Sequence, residues 1–322
     1  MSVKEQLLKI LINQENNYIS GENLATSLNV SRNSIWKAIK SLENDGYVIE
    51  AIRNKGYCLL SSNDVLSRDG VLKYLNKPDF FDIEVYKEVT STNTLLKENL
   101  NSKEWKVLVS SHQTNGLGRL SRNFHSPKDT GVYFSFILRP NITMSQSTYL
   151  TAMTSIAVSR AIFNVTQKNS QVKWVNDIFL DDKKVCGILC EASFSMENAS
   201  LEYVILGIGI NVYRPKDGFP EEIEDIAGFI LENHIDDVRN KLVAQVLNNF
   251  YSLYQEFDTK KIVEEYKSKS YILGKEIYVI KSNENTKALA LDIDDNCGLV
   301  VKYEDGTIET LNSGEISTKI IK

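Results

Sequence analysis

The pattern that most restricts the fold lies in the first 62 residues, where three short helical segments precede a β-hairpin. Apolar residues recur at helical spacing in these segments, at Leu7, Leu8, Leu11 and Ile12, then at Leu24, Ala25 and Leu28, and then at Ile35, Ile39 and Leu42. Asn29 and Val30 favour a tight turn, and Ser31 is a suitable N-cap for a third helix that ends at Gly46. Strand-forming residues then flank Arg53-Asn54-Lys55-Gly56, where glycine supplies the positive φ that a hairpin turn needs. This order of elements predicts a winged helix-turn-helix.

The same segment is locally basic in an acidic chain. Residues 1–62 contain seven basic and six acidic residues, whereas the whole chain has a net charge of −5. Phosphate contacts need concentrated Lys and Arg, so the charge excludes a protein that binds nucleic acid over most of its surface. Any DNA-binding part is therefore small, and the alternative is a helical scaffold whose basic face is merely solvated.

A helix-turn-helix places the N-terminal part of its second helix against base edges. The residues that we expect to read bases are Ser31, Arg32, Asn33 and Ser34, and those that we expect mostly to hold phosphates are Lys37, Lys40, Arg53 and Lys55. One motif reads one half-site, so specific binding predicts a dimer on a two-fold-related site.

Length and composition limit the number of domains and the class of protein to which the chain can belong. With 322 residues, 42% of them hydrophobic and 25% charged, the chain predicts two or three ordinary globular domains. No apolar run approaches the ~20 residues that span a bilayer, and MSVKEQLLKI lacks the apolar core of a secretory signal, so we expect a cytoplasmic protein. The four cysteines are too scattered for a disulfide framework. Cys186 and Cys190 have no histidine near them in sequence, so we expect buried thiols and no metal site made by the protein alone.

Two further regions follow the predicted winged helix. Residues 63–269 alternate β-rich segments with helices at 147–167 and 237–257, and strands outnumber helices, which predicts an α+β domain with a mixed sheet. The β-rich segments are IEVYKEV, KVLVSS, GVYFSFIL, VKWV, KVCGILCEA and YVILGIGINV. Residues 270–322 contain short strands such as KEIYVI, ALALDI and LVVKYE with glycine turns between them, which predicts a small antiparallel barrel. The predicted domains are thus 1–62, 63–269 and 270–322.

A glycine-containing loop, residues 113–122 (QTNGLGRLSR), follows the strand KVLVSS. It does not fit a dinucleotide-binding loop, because no helix follows and Ser121 stands at the third glycine position. It does not fit a Walker phosphate loop either, since Gly-Lys-Ser and Gly-Lys-Thr are absent from the sequence. Two closely spaced arginines, Arg119 and Arg122, could clamp a phosphate or a carboxylate.

Other polar clusters lie at the ends of predicted strands. They are Ser91-Thr92-Asn93, the run Lys173 to Asp177, Lys184, and the trio Gly207, Gly209 and Asn211. Hydroxyls, amides, cations and a carboxylate can together address a small polar ligand, and glycines permit a close backbone approach. Each cluster alone is equally consistent with turn chemistry or a solvated charge.

Taken in order, these motifs resemble the biotin protein ligases, specifically the bifunctional kind that also represses the biotin operon. The resemblance covers essentially the whole chain. It rests on ISGENLATSLNVSRNSIWKAIKSLENDGY, NKGYCLL, STNTLLKE, QTNGLGRLSRNFHSP, VKWVNDIFLDDKKVCGILCE and GIGINV, and on GKEIYVIKS, LALDIDDNCGLVV and DGTIETLNSGEIS at the C-terminal end. It implies a winged helix, a mixed-sheet ligase domain and a small SH3-like barrel. The lipoate ligases share the catalytic fold but lack the DNA-binding module.

The resemblance also implies roles for single residues. It assigns the ureido head of biotin to Ser91, Thr92, Asn93 and Gln113, and the biotin carboxylate and adenylate phosphate to Gly116, Leu117, Gly118, Arg119 and Lys184. It assigns the nucleotide to Arg119, Arg122, Asn176, Lys184 and Asn211, and catalysis to Arg119, Lys184 and Asp177, the last of these near the incoming lysine.

The implied reaction consumes ATP with Mg²⁺ and forms biotinyl-5′-AMP, from which a lysine of the biotin carboxyl carrier protein takes biotin. The adenylate would also act as corepressor, favouring a homodimer on operator DNA. Two alternatives remain: a regulator that senses biotin or its adenylate with little or no ligase activity, and a ligase whose winged domain is only a structural appendage.

The sequence departs from the family pattern at four positions. Leu117 stands where the family has a basic residue, Ser121 where glycine is common, Phe124 where tryptophan is common, and Val175 where proline is usual. Because Leu117 removes one cation from the loop, we expect lower ligand affinity, weaker adenylate retention or a lower rate than is usual for the family.

Overall fold

The computed structural model describes residues 2–14, 16–60, 64–143, 146–195, 200–281, 284–312 and 317–320. The chain divides into two compact units. Unit 1 comprises Met1–Leu75 and Asn233–Ala244, and unit 2 comprises Asn76–Glu232 and Gln245–Lys322. The division into three domains at residues 62 and 269 stays a prediction.

Unit 1 contains the predicted helix-turn-helix and hairpin. Its elements before residue 75 are α1 (Val3–Asn13), α2 (Gly21–Leu28), α3 (Arg32–Asn44), β1 (Ile49–Ile52), β2 (Gly56–Leu59) and α4 (Arg68–Leu72). Ser31 caps α3 as predicted, since its hydroxyl accepts a hydrogen bond from the Ser34 backbone N–H, and Asn29 ends α2 in the left-handed conformation. The core of the helices includes the predicted Leu7, Leu11, Leu24, Ile35, Ile39 and Leu42.

The hairpin of unit 1 is tied to the loop before α2. Ile19 and Tyr57 exchange two backbone hydrogen bonds of 2.9 Å. Gly56 has φ 111°, and a Cβ added there would lie 2.0 Å from the Ile19 carbonyl oxygen. Only glycine fits this close approach. The hairpin turn, which needs a positive φ, and the packing against Ile19 therefore both require glycine at this position.

Residues 64–75 and 233–244 of unit 1 are joined by buried polar contacts. The Arg239 guanidinium lies 2.8 Å from Asp64 Oδ2, and the two side chains are 7% and 2% exposed. Asn240 Oδ1 accepts a hydrogen bond from the Ser67 backbone, and its Nδ2 donates to the Val65 carbonyl. A paired buried charge is costly to break, so these contacts fix the two segments against each other.

Unit 2 is built on a mixed seven-stranded sheet within the described residues. The strands are β3 (Asp82–Tyr86), β4 (Lys106–Ser110), β5 (Gly131–Leu138), β6 (Gln171–Lys173), β7 (Asp177–Leu180), β8 (Lys183–Ser195) and β9 (Ser200–Asn211). Their order is β3-β4-β5-β9-β8-β7-β6, with β3 and β4 parallel and the other pairs antiparallel. The predicted strand VKWV is shorter than expected: β6 ends at Lys173, a turn with a cis peptide between Trp174 and Val175 follows, and β7 runs back.

The helices that occur along the chain after β3 are α5 (Thr92–Glu98), α6 (Ser147–Thr166), α7 (Glu221–Glu224), α8 (Val238–Glu256) and α9 (Thr259–Ser268). The residues of α8 up to Ala244 belong to unit 1, and those from Gln245 onwards belong to unit 2. The predicted helices at 147–167 and 237–257 correspond to α6 and α8, whereas α9 was not expected. Two residues fix it: Asp258 caps its start and Tyr266 is fully buried.

The C-terminal part of unit 2 is an antiparallel sheet in the order β13-β12-β11-β10-β14. Its strands are β10 (Glu276–Lys281), β11 (Glu284–Ile293), β12 (Leu299–Tyr303), β13 (Ile308–Leu311) and β14 (Ser317–Ile320). The β11–β12 turn contacts the larger sheet and α6, because the Trp174 indole N–H donates to the Cys297 carbonyl at 3.0 Å and the Tyr149 hydroxyl to the Asp295 carbonyl at 2.6 Å. Among the described residues, no helix is both long and apolar enough to cross a membrane.

Candidate active site and nucleic-acid interface

A cavity of about 320 Å³ in unit 2 brings together nearly all of the residues predicted to bind ligand. Those that line it are Ser91, Thr92, Asn93, Gln113, Leu117, Gly118, Arg119, Arg122, Asn176, Asp177, Lys184 and Asn211. Gly116 lies behind the lining, where an added Cβ would meet the Phe124 carbonyl oxygen at 2.4 Å. Segments that are up to 120 residues apart in sequence thus meet at one site.

Glycines on β8 and β9 make room for the side chains above them. A Cβ at Gly207 would lie 2.0 Å from Asn93 Oδ1, and one at Gly209 would lie 2.3 Å from the Phe124 ring. At Gly187 the same ring would be 2.8 Å away. Asn93 and Phe124 can therefore pack against the backbone of the sheet only because these strand positions are glycines.

One end of the cavity is a polar network at the start of α5. The Thr92 backbone N–H donates to Gln113 Oε1 at 2.9 Å, and Gln113 Nε2 donates to the Ser126 hydroxyl at 3.0 Å. The Thr92 and Ser135 hydroxyls lie 2.6 Å apart, and the Ser135 hydroxyl donates to Asn93 Oδ1 at 2.5 Å. Thr92, Asn93, Ser126 and Ser135 are buried and Gln113 is half-buried, so hydrogen bonding fixes most of these groups before a ligand arrives.

The glycine loop closes on itself beside this network. Gly118 N–H donates to the Arg122 carbonyl at 2.7 Å, and Phe124 N–H donates to the Gly116 carbonyl at 2.8 Å. Leu120 and Ser121 have positive φ angles of 56° and 57°. The backbone between these bonds turns tightly and directs Arg119 toward Asn176, with 3.3 Å between Arg119 Nη1 and Asn176 Oδ1.

The charged side chains lie at the other end of the cavity. Lys184 Nζ is 2.7 Å from Asp177 Oδ1 and 6.0 Å from the centre of the Phe124 ring. Burial lowers the pKa of the Arg119 guanidinium, and the nearby Asp177 carboxylate opposes that shift. A partly desolvated cation attracts an anion more strongly than a solvated one, so this end suits a carboxylate or phosphate.

Two amides are held by the protein backbone. Asn176 Nδ2 donates to the Ile188 carbonyl at 2.7 Å, and Asn211 Nδ2 donates to the Gly228 carbonyl at 3.0 Å. Because a backbone carbonyl holds each Nδ2, the direction in which each amide oxygen points is fixed. Polar groups with fixed orientations are what selective recognition of a polar ligand needs.

Several lining residues were not selected from the sequence. An apolar border is formed by Leu120, Phe219, Ile223, Ile226 and Ala227, and the leucine and Ile226 are 51% and 53% exposed. His125 also lines the cavity, and burial lowers its pKa. For the residues from Phe219 to Ala227, the only sequence signal was apolar residues in an otherwise acidic segment, which alone indicates no binding site.

The residues predicted to bind DNA lie on the surface of unit 1. Arg32, Asn33, Lys37 and Lys40 are exposed along α3, as are Arg53 and Lys55 in the hairpin. Two of the cations are paired, Arg32 with Glu22 and Lys40 with Glu43, each at 2.6 Å. Ser31 and Ser34 bond to each other at 2.9 Å around the N-cap.

Sequence reasoning did not select Trp36. It lies on α3 between Arg32 and Lys40 at spacings of four residues and is 51% exposed. A single exposed apolar side chain is ordinary on a protein surface, and Trp36 is of interest only because it lies on the cationic face of α3.

Among the described residues, no group of three or more His, Cys, Asp and Glu side chains could hold a metal ion. All four cysteines are free. Of the two predicted to be buried, Cys186 is buried and Cys190 is half-buried, and Cys58 and Cys297 are buried as well.

Family models match three parts of the chain. Residues 85–211 match the Biotin/lipoate A/B protein ligase family, residues 3–58 match an HTH domain, and residues 272–319 match the Biotin protein ligase C terminal domain.

Two similar proteins each cover nearly the whole chain, and a similar solved structure covers about three quarters of it. The bifunctional ligase/repressor BirA of Bacillus subtilis (strain 168) is 31% identical over 331 residues, covering 98% of each chain. The protein of the same name from Escherichia coli (strain K12) is 25% identical, covering 99% of this chain and 98% of its own. Among solved structures, the biotin protein ligase from Aquifex aeolicus in complex with biotin and ATP is 31% identical, with a TM-score of 0.63 over 74% of this chain and 99% of that one. The chain belongs to the biotin protein ligase family, and within it to the bifunctional ligase/repressors.

Proposed function

We propose that the cavity of unit 2 joins biotin to AMP and then delivers the biotinyl group to a lysine of a biotin carboxyl carrier protein. The observation that carries this proposal is that a polar network around the buried Thr92 and the half-buried Gln113 shares one cavity with Arg119, Lys184 and Asp177. One end suits the neutral, hydrogen-bonding ureido ring of biotin, and the other suits its carboxylate and a phosphate.

In the first step, the biotin carboxylate attacks the α-phosphorus of ATP, forming biotinyl-5′-AMP and releasing pyrophosphate. Two anions must approach each other, and negative charge grows on the phosphoryl oxygens. Lys184 and Arg119 offset this repulsion from fixed positions. Mg²⁺ enters with ATP as part of the substrate, and Asn176, Asn211 and Arg122 border the nucleotide.

In the second step, a lysine amine of the carrier protein attacks the mixed anhydride and AMP leaves. The amine must first lose a proton, and Asp177 is the acceptor that we assign, since it lines the cavity beside Lys184. The loop from Gly116 to Arg122 covers the adenylate and keeps water from it.

The first step is tested by removing the charge of Lys184, which should abolish most of the adenylation activity. Biotin-dependent exchange of labelled pyrophosphate into ATP should occur with the wild-type protein and fall by ~10²–10³ in Lys184→Gln. Lys261→Gln is the matched control, because Lys261 is an exposed cation on α9 whose side chain is 72% accessible. Exchange that is equal in the Lys184 variant and the control would refute the assigned role.

We propose that unit 1 binds operator DNA of biotin genes as half of a homodimer, with the adenylate as corepressor. The support is the exposed basic face of α3 and of the hairpin, with Ser31 to Ser34 at the helix start, where bases are read. Carrier protein and operator DNA are both cytoplasmic, so we place the protein there. The C-terminal antiparallel sheet is proposed to be an SH3-like barrel.

A gel-shift with biotin-gene promoter DNA tests the repressor half. A shift that strengthens on adding biotin with ATP supports an adenylate-controlled dimer. A shift that is absent under both conditions would leave the winged domain as a structural appendage.

The second candidate function is a biotin- or adenylate-sensing repressor with weak or no ligase activity. Leu117 favours it, because this residue removes a cation from the loop that covers the adenylate. Arg119 and Lys184 both line the cavity and retain the charges that ligation needs, which is why the ligase ranks first.

A further inference from the structure

A chain of hydrogen bonds leads from the biotin end of the cavity to a charged pair at the protein surface. Glu191 on β8 accepts a hydrogen bond from Asn93 Nδ2 at 2.8 Å and one from Lys97 Nζ at 2.6 Å. The Glu191 and Lys97 side chains are 27% and 41% exposed, whereas Asn93 is 3% exposed. The charged pair is therefore in contact with solvent, whereas the hydrogen-bonded groups that lead from it to the cavity are buried.

The carboxylate determines which way each group in the chain points. An ionised carboxylate only accepts hydrogen bonds, so the Asn93 amide must direct Nδ2 toward Glu191 and Oδ1 away from it. Oδ1 then accepts the single proton of the Ser135 hydroxyl at 2.5 Å. With that proton committed, Ser135 can only accept at its other contact.

That other contact is the Thr92 hydroxyl, 2.6 Å from Ser135 Oγ. Thr92 must donate there, because two lone pairs facing each other at this distance would repel. Thr92 Oγ1 also lies 3.2 Å from Gln113 Oε1, but this longer contact competes for the same proton and is the weaker one. Once its proton is directed to Ser135, Thr92 has only lone pairs left to offer the cavity that it lines.

We propose that Glu191, Asn93 and Ser135 form a polarity relay that fixes the Thr92 hydroxyl as a hydrogen-bond acceptor for a ureido N–H of biotin. Glu191 and Asn93 are positioning residues in this account, since both polar ends of the Asn93 amide are engaged by protein groups. The proposal rests on the proposed function, because it takes the ureido ring to occupy this end of the cavity.

The position of Asn93 is itself determined by the sheet. A Cβ on Gly207 would lie 2.0 Å from Asn93 Oδ1 and 3.0 Å from its Nδ2. The amide can reach both Ser135 and Glu191 only because β9 carries a glycine beneath it.

Substitution of Glu191 or Ser135 should change ligand preference as well as affinity. In Glu191→Gln the new amide can donate as well as accept, so Asn93 can turn over and the Thr92 proton can point into the cavity. In Ser135→Ala the Thr92 hydroxyl loses its acceptor and becomes free to rotate. In both variants biotin should bind roughly 10- to 100-fold more weakly, while the KM for ATP should change less than about twofold.

The experiment measures calorimetric affinity for biotin and for the two cyclic carbamate analogues, in each of which one ureido N–H is replaced by a ring oxygen. The wild-type protein should prefer biotin over at least one analogue by ~10-fold or more, because an oxygen facing Thr92 puts two acceptors together. In Glu191→Gln and Ser135→Ala this preference should fall to within about threefold. Glu202→Gln is the matched control, since Glu202 on β9 accepts from Ser193 at 3.1 Å outside the relay, and it should keep the wild-type preference.

The outcomes separate the relay from general loosening of the site. Loosening would weaken biotin and both analogues by the same factor, leaving the preference unchanged, and that result in both variants would overturn the relay. Ser135→Ala alone decides the question if Glu191→Gln does not fold. Wild-type protein that fails to bind biotin would overturn the proposed function itself.

Discussion

At the scale of single residues, local chemistry was readable from the sequence and long-range pairing was not. Ser31 was expected to cap α3 because the cap needs only the N–H three residues later, and its hydroxyl accepts from Ser34. Asn93 is predicted to contact biotin and lines the cavity, and its amide also bonds Ser135 and Glu191, which lie 42 and 98 residues further along the chain. Nothing in the spacing of STNTLLKE predicts those partners.

Leu117 is the residue whose replacement tests the electrostatic account of the loop. Leu117→Arg should tighten binding of a non-hydrolysable biotinyl-adenylate analogue about tenfold, because it restores a cation in a partly buried cavity. Leu117→Gln, which adds polarity without charge, should bind as the wild type does. Calorimetry at two salt concentrations measures this, and an affinity for Leu117→Arg that is unchanged or weaker would contradict it.

At the scale of elements, a helix or strand was predicted correctly where a repeated apolar pattern determines it. The prediction failed where a contact with a distant residue determines where the element ends. The strand GVYFSFIL coincides with β5, because eight consecutive buried residues leave little choice of structure. VKWV was expected to continue through Val175, but β6 ends at Lys173 and the Trp174 indole bonds the Cys297 carbonyl 123 residues away. Helix α9 was missed because its apolar positions are few among charged ones.

The recognition helix α3 offers a direct optical test. Trp36 is 51% exposed, whereas Trp105 and Trp174 are 6% and 4% exposed, so quenching by acrylamide reports mainly on Trp36. Operator DNA should reduce that quenching at least about twofold if the α3 face enters the major groove. Trp36→Phe should abolish the change in fluorescence, and full accessibility of Trp36 in the DNA complex would place α3 outside the interface.

At the scale of the whole molecule, the two compact units are not consecutive in sequence. Residues 233–244 belong to unit 1, and the helix predicted at 237–257 is a single element, α8, whose residues are divided between the two units at Ala244. Buried contacts of Arg239 and Asn240 with residues 64–67 explain this assignment. The sequence at the start of a helix does not predict which distant residues its charged and amide side chains will contact.

The cysteines report on the two units separately. Burial raises the pKa of each thiol: that of Cys58 and Cys186 above its usual range, that of Cys190 to about 11 and that of Cys297 to about 12. A raised pKa leaves less thiolate at a given pH, so iodoacetamide should label all four slowly between pH 7 and 9, well below the rate of an ordinary thiol.

Urea should then expose the thiols in order. Cys58 lies in unit 1, whose smaller core should open first, and the other three cysteines lie in unit 2. Mass spectrometry of alkylated peptides follows each site. Fast labelling of Cys186 in native buffer, or simultaneous labelling of all four in urea, would contradict this account.

The central claim is that this chain ligates biotin, and transfer to a carrier protein tests it most directly. With ATP, Mg²⁺ and biotin, the wild-type protein should biotinylate the acceptor lysine of a biotin carboxyl carrier protein and release one AMP for each biotin transferred. Omission of ATP, or replacement of the acceptor lysine by arginine, should abolish the product. Binding of biotin and ATP without any transfer would contradict the ligase account and favour a repressor that only senses its ligand.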